Sequence, residues 1–291
     1  MEARPLVVIV GPTASGKTAL SIKVAKRYRG EIISADSKAI YKGMDIGAAK
    51  PAMNARDGVP HWGFDLVKPG ERFTAADFKQ YANKKIAEIR RRGHVPVLAG
   101  GTGLYVDAVL FDYDFPPESS SEQREQLEQW SLGGLHKYCA DNNITLPENS
   151  LNKRYVINTI LRNGYVLKRR SMPVENTIIV GITTDRDSLR ARIVGRTEQL
   201  FINGVDDEAK GLAAQYGWES EAMKGNIYPL LRRYHDNELS LDEVKQMSIV
   251  KDWRLAKRQL AWFKRNEHIN WLPLDEAYTY IAHALDNLNN S

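Results

Sequence analysis

Leu6-Val-Val-Ile-Val10 is an unbroken apolar run rich in β-branched residues, a pattern that predicts a strand buried on both faces. The run stops at Gly11, and Thr18–Arg29 reads as a helix. Glu31 to Ala35 is a second short strand, which delivers Asp36 at its carboxyl end. Thr74-Ala-Ala-Asp77 has the spacing of a capping box. Phe78, Ala82, Ile86 and Ile89 then mark one face of an amphipathic helix that ends at Gly93. Val95-Pro-Val-Leu-Ala99 reads as a third strand and Thr177–Ile182 as a fourth. Alternation of strand and helix in this order predicts an α/β fold: a three-layer parallel sheet with right-handed crossovers.

Residues 116–173 break that rhythm. The stretch opens on Pro116-Pro117-Glu-Ser-Ser-Ser121 and then shows helical patterns around Glu122–Trp130 and Arg154–Arg162. The expected organisation is a core domain from 1–115 and 174–291, with a small helical insertion at 116–173. From Asp185 onward the pattern is almost wholly helical and is expected to return to the core, ending in an Asn-rich tail at Asn287–Ser291.

Composition narrows the classes. Cys139 is the single cysteine of the 291 residues, which excludes a disulfide scaffold, and the six histidines lack zinc-site spacing. No stretch approaches the ~20 apolar residues of a spanning helix, and Leu6–Val10 is too short for a signal-peptide core. A reducing, cytoplasmic setting without membrane attachment is expected. The net charge of +5 matters less than its distribution. Between Glu148 and Glu175 there is no acid, but there are Lys153, Arg154, Arg162, Lys168, Arg169 and Arg170. A second basic run, Lys251, Arg254, Lys257, Arg258, Lys264 and Arg265, is interleaved with Trp253, Trp262 and Phe263. Read as a helix, Trp253, Ala256, Leu260 and Phe263 share one face, and Arg254, Arg258 and Arg265 another. Such faces suit a phosphate backbone with stacked bases, and equally a solvated helix surface.

Gly11-Pro12-Thr13-Ala14-Ser15-Gly16-Lys17-Thr18 fits G-x-x-x-x-G-K-[ST] between a predicted strand and a predicted helix. The glycines let backbone N–H groups curl round an anion, and the helix N-terminus adds partial positive charge. Lys17 would neutralise a terminal phosphate, and Thr18 would offer its hydroxyl to Mg²⁺. The strand that would carry the usual magnesium-shell acid, Val95 to Ala99, runs instead into Gly100-Gly-Thr-Gly103-Leu-Tyr105. That counts against ordinary nucleotide hydrolysis. Asp36 sits at a strand's carboxyl end, where chemistry gathers in parallel sheets, although a capping or turn role is also open. Tyr41 to Pro51 is too rich in small and charged residues to read as core. On these residues alone a phosphate-loop small-molecule kinase and a nucleotide-regulated RNA-binding module both stand as readings.

Taken together, Asp36-Ser37…Ile40-Tyr41-Lys-Gly-Met-Asp-Ile-Gly47…Ala49-Lys50-Pro51 after the phosphate loop resembles the tRNA dimethylallyltransferase (tRNA isopentenyltransferase) family. Gly100 to Tyr105, Arg192-Ile…Arg196 and Ala256-Lys-Arg-Gln259…Trp262-Phe263 agree, in order, along nearly the whole chain. The resemblance implies a phosphate-loop NTPase-like fold with a helical insertion and a helical C-terminal region. It also implies magnesium-dependent transfer of a dimethylallyl group from dimethylallyl diphosphate. The acceptor would be N6 of the adenosine 3′ of the anticodon (position 37), and the anticodon stem-loop of tRNA would be the macromolecular partner of a monomeric enzyme. Asp36 takes the role of base, and residues 11–18 with Arg192 and Arg196 that of diphosphate site. Contacts to tRNA are implied at Asp36, Ser37, Lys38, Ala39, Thr102, Arg124, Arg154, Lys168, Arg169, Arg254, Lys257 and Arg258, and a metal contact at Thr18. The chain departs from the family pattern at Asp252-Trp253 (usually Thr-Arg), at Ile227-Tyr228-Pro229-Leu230 (usually Gly-Tyr-Lys-Glu) and at Asn152-Lys153 (usually Asn-Asp).

Overall fold

The computed structural model describes residues 4–116, 121–162, 165, 167–225 and 227–289. Pro117 to Ser120 of the predicted insertion entry and the end of the Asn-rich tail lie outside them. The chain forms two compact units, one of residues 1–111 and 172–291, the other of 112–171.

In the first unit, β1 (Leu6–Val10) is buried along its whole length at the centre of a six-stranded sheet. Its neighbours are β4 (Val95–Gly100) and β5 (Thr177–Ile182); beyond them lie β2 (Gly30–Ala35) with β3 (His61–Trp62), and β6 (Asn270–Leu272). The order is β3-β2-β4-β1-β5-β6, and every pairing is parallel. All carboxyl ends therefore open on one edge, where α/β folds place their ligands.

Successive strand residues point to opposite faces. Val7, Ile9, Ile32, Val97, Val180 and Ile182 pack against Leu20, Val24 and Ala25 of α1 (Lys17–Tyr28) and against Ala277, Ile281 and Leu285 of α11. Helix α11 spans Leu274–Asn289. On the other face α2 (Ala75–Arg91) packs against β2 and β4, and α3 (Gly103–Leu110) packs against α2. The predicted apolar face of α2 is the buried one, and Phe78 stacks on Tyr105 with ring centres 4.2 Å apart. The Thr74 capping box forms in both directions.

Two strands escape the sequence pattern. His61–Trp62 and Asn270–Leu272 are too short to show a period, and sheet pairing alone makes them strands. After Asp185, β6 thus interrupts an otherwise helical region built from α7 (Arg186–Ile202), α8 (Val205–Tyr216), α9 (Tyr228–His235) and α10 (Leu241–Phe263). Helix α10 stops at Phe263, so Arg265 is not on its basic face; its guanidinium lies 4.1 Å from the centre of the Trp262 ring.

The second unit holds α4 (Ser121–Gln129), α5 (Leu132–Asp141) and α6 (Lys153–Arg162). Helix α5 is an addition to the two helices expected here, and it carries Gly133-Gly134, a pair that favours a turn. Its Ser131 cap accepts from Gly134 N at 3.1 Å, and Leu135 and Cys139, one turn apart, are buried against Val156, Ile157 and Ile160. Among the described residues no helix is long and apolar enough to cross a membrane.

At the sheet's amino-terminal edge Glu31 is buried. It accepts two hydrogen bonds from Arg92 (2.9 and 2.8 Å), one from Trp62 Nε1 (2.7 Å), and lies 2.8 Å from His94 Nδ1. Burial alone would raise this carboxyl, but the hydrogen bonds from Arg92, His94 and Trp62 outweigh it and hold it below the usual range. A depressed carboxyl stabilises the fold above its unfolded pKa and loses that contribution as pH falls through the lower folded value. Glu31→Gln is therefore expected to cost about 2 kcal/mol at neutral pH. In urea melts, its deficit relative to wild type should shrink as the pH drops below about 4; a deficit independent of pH would assign the loss to packing.

Candidate functional site

Between β1 and α1 the chain turns through residues 11–16. Ala14 (φ 61°) and Gly16 (φ 94°) both adopt left-handed backbone, which only glycine takes without strain. Helix α1 begins without a side-chain cap or an acid in its first turn, so its N-terminal amides are left for an anion. Ser15 is fully buried, and its Oγ has no hydrogen-bond partner. An orphaned buried hydroxyl in such a loop fits a ligand oxygen.

These residues floor a cavity of about 600 Å³ at the carboxyl edge of the sheet. Its lining brings together most of the residues singled out from sequence: Thr13 to Thr18, Asp36 to Ala39, Thr102, Arg192 and Arg196. Gly11 and Pro12, singled out with them, do not line the cavity. The described lining residues include five cationic side chains, Lys17, Lys38, Lys50, Arg192 and Arg196, and one carboxylate, Asp36. Lys50 is paired with Asp45 and Asp65, and the four remaining cations against one carboxylate favour a polyanion.

Lys17 keeps part of its surface open to the cavity and donates to Pro12 O at 2.6 Å. Loss of water around it, partly offset by Asp36 and reinforced by Arg196, pushes its ammonium down to about 8. The two arginines, one turn apart on α7, reach the loop from the side. Arg192 Nη1 lies 3.4 Å from Ser15 O, and Arg196 donates to the Thr13 hydroxyl. Asp252 of α10 is buried with an oxygen 3.9 Å from Arg196. Burial raises its carboxyl and Arg196 opposes that shift.

Asp36 follows β2 directly. Its Oδ1 accepts from Lys38 N at 2.8 Å, an Asx turn that fixes the carboxylate at the cavity wall. Thr102 is tied in beside it: its backbone N–H donates to Ala35 O at 3.1 Å and its Oγ1 accepts from Ser37 N at 3.0 Å.

The glycine-rich turn after β4 serves close packing. A Cβ at Gly100 would overlap Ala35, one at Gly101 the Gln259 amide, and one at Gly103 the Trp262 indole. Helix α10 thereby approaches closely enough for Gln259 Oε1 to accept from Thr13 N at 2.8 Å, and for Trp262 Nε1 to donate to Asp107 at 2.7 Å.

Residues 41–51, read from sequence as non-core, are in part core: Tyr41 and Met44 are buried, with Ile40 beside them. The charge is absorbed locally. Lys50 Nζ donates to Tyr41 O (2.8 Å), Asp45 (2.8 Å) and Asp65 (2.6 Å). Sequence reasoning also missed Lys50, His61, Phe64, Leu255 and Gln259 as lining residues. Lys50 and Gln259 stood inside quoted motifs, whereas His61, Phe64 and Leu255 carried no signal of their own.

The basic residues lie elsewhere. Arg254, Lys257 and Arg258 are exposed along α10, and none lines the cavity. Lys257 Nζ is 5.4 Å from the Trp253 ring centre. In the second unit Arg154, Lys168, Arg169 and Arg170 are exposed, and Arg169 donates to the Tyr113 hydroxyl at 3.1 Å. Arg124 is half-buried and donates to Asn158 at 2.7 Å, joining α4 to α6.

A family model described as IPP transferase matches residues 39–266, and one described as isopentenyl transferase matches residues 4–60. The tRNA dimethylallyltransferase of Staphylococcus epidermidis is 37% identical over 289 residues, covering 92% of this chain and 86% of that one. Its counterpart in Acetivibrio thermocellus is 38% identical over 288 residues, covering 93% and 92%. Among solved structures, the full-length tRNA isopentenylpyrophosphate transferase of Bacillus halodurans superposes with a TM-score of 0.75 at 34% identity, covering 99% and 98% of the two chains. A eukaryotic dimethylallyltransferase acting on tRNA, at 21% identity, shares the fold with a TM-score of 0.78 over 98% of this chain and 79% of that one.

Proposed function

Because this chain belongs to the tRNA dimethylallyltransferase family, we propose that it transfers a dimethylallyl group from dimethylallyl diphosphate to N6 of the adenosine 3′ of the tRNA anticodon. The observation that carries this reading is the cavity itself, with an orphaned hydroxyl and four cations, Lys17, Lys38, Arg192 and Arg196, around a phosphate loop and one carboxylate at the adjoining strand end. A small-molecule kinase is not favoured by the relatives. Nor does β4 supply the acid that nucleotide-hydrolysing sites hold near magnesium.

Residues 13–18 would hold the donor's diphosphate, with Lys17 and the α1 N-terminus on its oxygens and Arg192 and Arg196 at its side. As the allylic C–O bond breaks, the pair of electrons leaves with the diphosphate, and these fixed charges stabilise the growing anion. Adenine N6 is a weak nucleophile because its lone pair is delocalised into the ring. Asp36 would accept its proton as the C–N bond forms. Thr102, Ser37, Lys38 and Ala39 share the cavity wall with Asp36, which suits contact with the incoming nucleotide. The residues fit Mg²⁺ bound jointly with diphosphate, since the Thr18 hydroxyl is exposed beside the loop and such ions take most of their ligands from phosphate and water. Bound there, the ion would add positive charge to the leaving group.

The exposed basic residues would bind the anticodon stem-loop through its phosphates, while the target adenine enters the cavity unstacked. The enzyme would act as a monomer, and a cytoplasmic location would place it with its substrates. Incubating the protein with tRNA and dimethylallyl diphosphate, then analysing the nucleosides by mass spectrometry, tests the reading. The expected product is N6-isopentenyladenosine. Tight binding of ATP, with no use of the allylic donor, would overturn it in favour of a kinase.

Neutralising Lys168, Arg169 and Arg170 together is expected to weaken tRNA binding and to flatten its salt dependence by up to about three counterions' worth of slope. Donor affinity should be unchanged. An unaltered salt slope would show that these charges only solvate the second unit.

A further inference from the structure

We infer that Glu208 is a positioning residue for the proposed transfer: its carboxylate gathers three consecutive backbone amides and so fixes the stretch of cavity wall formed by residues 48–51. The inference rests on the function proposed above.

Glu208 stands in the first turn of α8 and does not line the cavity. Its Oε2 accepts from the backbone N–H of Asp45 (2.8 Å) and of Ile46 (2.6 Å). Its Oε1 accepts from Gly47 N (2.8 Å) and from the Tyr228 hydroxyl (2.7 Å). An ionised carboxylate offers about four lone-pair sites, so four donors fill it. Three successive amides converging on one anion form a nest of the kind that elsewhere holds phosphate. Here the protein supplies the anion.

Those amides begin a tight turn. Ala49 N donates to Ile46 O at 2.8 Å, and Lys50 N donates to Asp45 O at 2.9 Å. The end of that turn, Ala48, Ala49, Lys50 and Pro51, lines the same cavity as Lys17 and Asp36. Ala49 holds a left-handed backbone (φ 50°), a conformation that needs support from outside the turn. Tyr228 provides a second brace. It is buried, and a Cβ at position 47 would overlap its phenol, so the glycine lets ring and turn meet. Burial, with Glu208 beside it, holds the Tyr228 phenol well up, which keeps it a donor.

The chain of action is therefore carboxylate, amides, turn, wall. Misplacing a substrate by about 1 Å commonly costs on the order of 100-fold in rate. Glu208→Gln keeps the size but sets an NH₂ group among donors. The full chain carrying Glu208→Gln, Glu208→Ala or Tyr228→Phe should be compared with wild type by amide hydrogen exchange and by steady-state transfer from dimethylallyl diphosphate to tRNA. For Glu208→Gln, exchange at 45–47 is expected to rise at least about 10-fold, with β1 and β4 amides unchanged. Its kcat should fall roughly 10- to 100-fold, while Kd for inorganic pyrophosphate stays at the wild-type value. Tyr228→Phe should lose less of kcat than Glu208→Gln. Wild-type exchange at 45–47 overturns the inference, as does faster exchange across all strands, or lost protection with an undiminished kcat. Should Glu208→Ala fail to fold, the other two variants decide. A wild-type chain that transfers nothing overturns the proposed reaction, and this role within it, by a separate readout.

Discussion

Asp36→Asn is expected to lower the single-turnover rate of prenyl transfer by roughly 100- to 10,000-fold, the usual worth of a positioned base. The substitution keeps the side chain's size and its carbonyl oxygen, which can still accept from Lys38 N and hold the turn. What it removes is the capacity to take a proton from adenine N6. Affinity for tRNA and for dimethylallyl diphosphate should change far less than the rate, and the melting temperature should hardly move. A purely structural turn residue gives the reverse pattern, with a lower melting temperature and near-normal chemistry in the folded fraction. Rate, tRNA affinity and melting temperature, measured on one preparation, separate the two; a near-normal rate would remove Asp36 from the chemistry.

Lys17→Ala is expected to slow transfer by about 100- to 1000-fold, because a fixed charge that meets the departing diphosphate acts mainly in the transition state. Thr18→Ala should fall in the same range. The depressed ammonium of Lys17 adds a dependence on pH. With the ammonium held down to about 8, the charged form that would bind diphosphate is expected to give way to the neutral amine as the pH rises past that value. Affinity for pyrophosphate should therefore be flat at lower pH and then weaken by up to about tenfold per unit as the pH rises past 8. In Lys17→Ala that inflection should vanish. Wild-type turnover in the alanine variants would exclude the phosphate loop from the mechanism, and an inflection surviving in Lys17→Ala would assign it to another group.

Asp252 shows how a buried charge is accommodated beside the site. Buried on α10, it faces Arg196, whose guanidinium also reaches Thr13 of the phosphate loop. A buried carboxylate behind a cavity arginine limits where that arginine can point, and the loop, α7 and α10 are thereby coupled at a single side chain.

Much of this molecule is decided locally and was legible without a structure. Leu6–Val10 could only be a central strand, because five consecutive apolar residues need cover on both faces. The 3.6-residue spacing of Phe78, Ala82, Ile86 and Ile89 marked the buried face of α2, and Gly11 to Thr18 marked the loop between β1 and α1. These signals lie within one turn or one strand, so they survive in linear order.

Tertiary structure decided what depends on partners distant in sequence. Sheet pairing made strands of His61–Trp62 and Asn270–Leu272, which are too short to carry a period. Burial of Leu135 and Cys139 against α6 overrode the turn preference of Gly133-Gly134 and made α5. Glycines at 100, 101 and 103 leave room for close approach, but only the fold shows that Gln259 and Trp262 are what approaches Gly101 and Gly103. In the same way a charged stretch around Tyr41–Pro51 became part of the core once Lys50 found three oxygens and Glu208, more than 150 residues away, found three amides. A polar group's tendency to be buried depends on whether its hydrogen bonds are met, and that is set by the partners that folding brings to it.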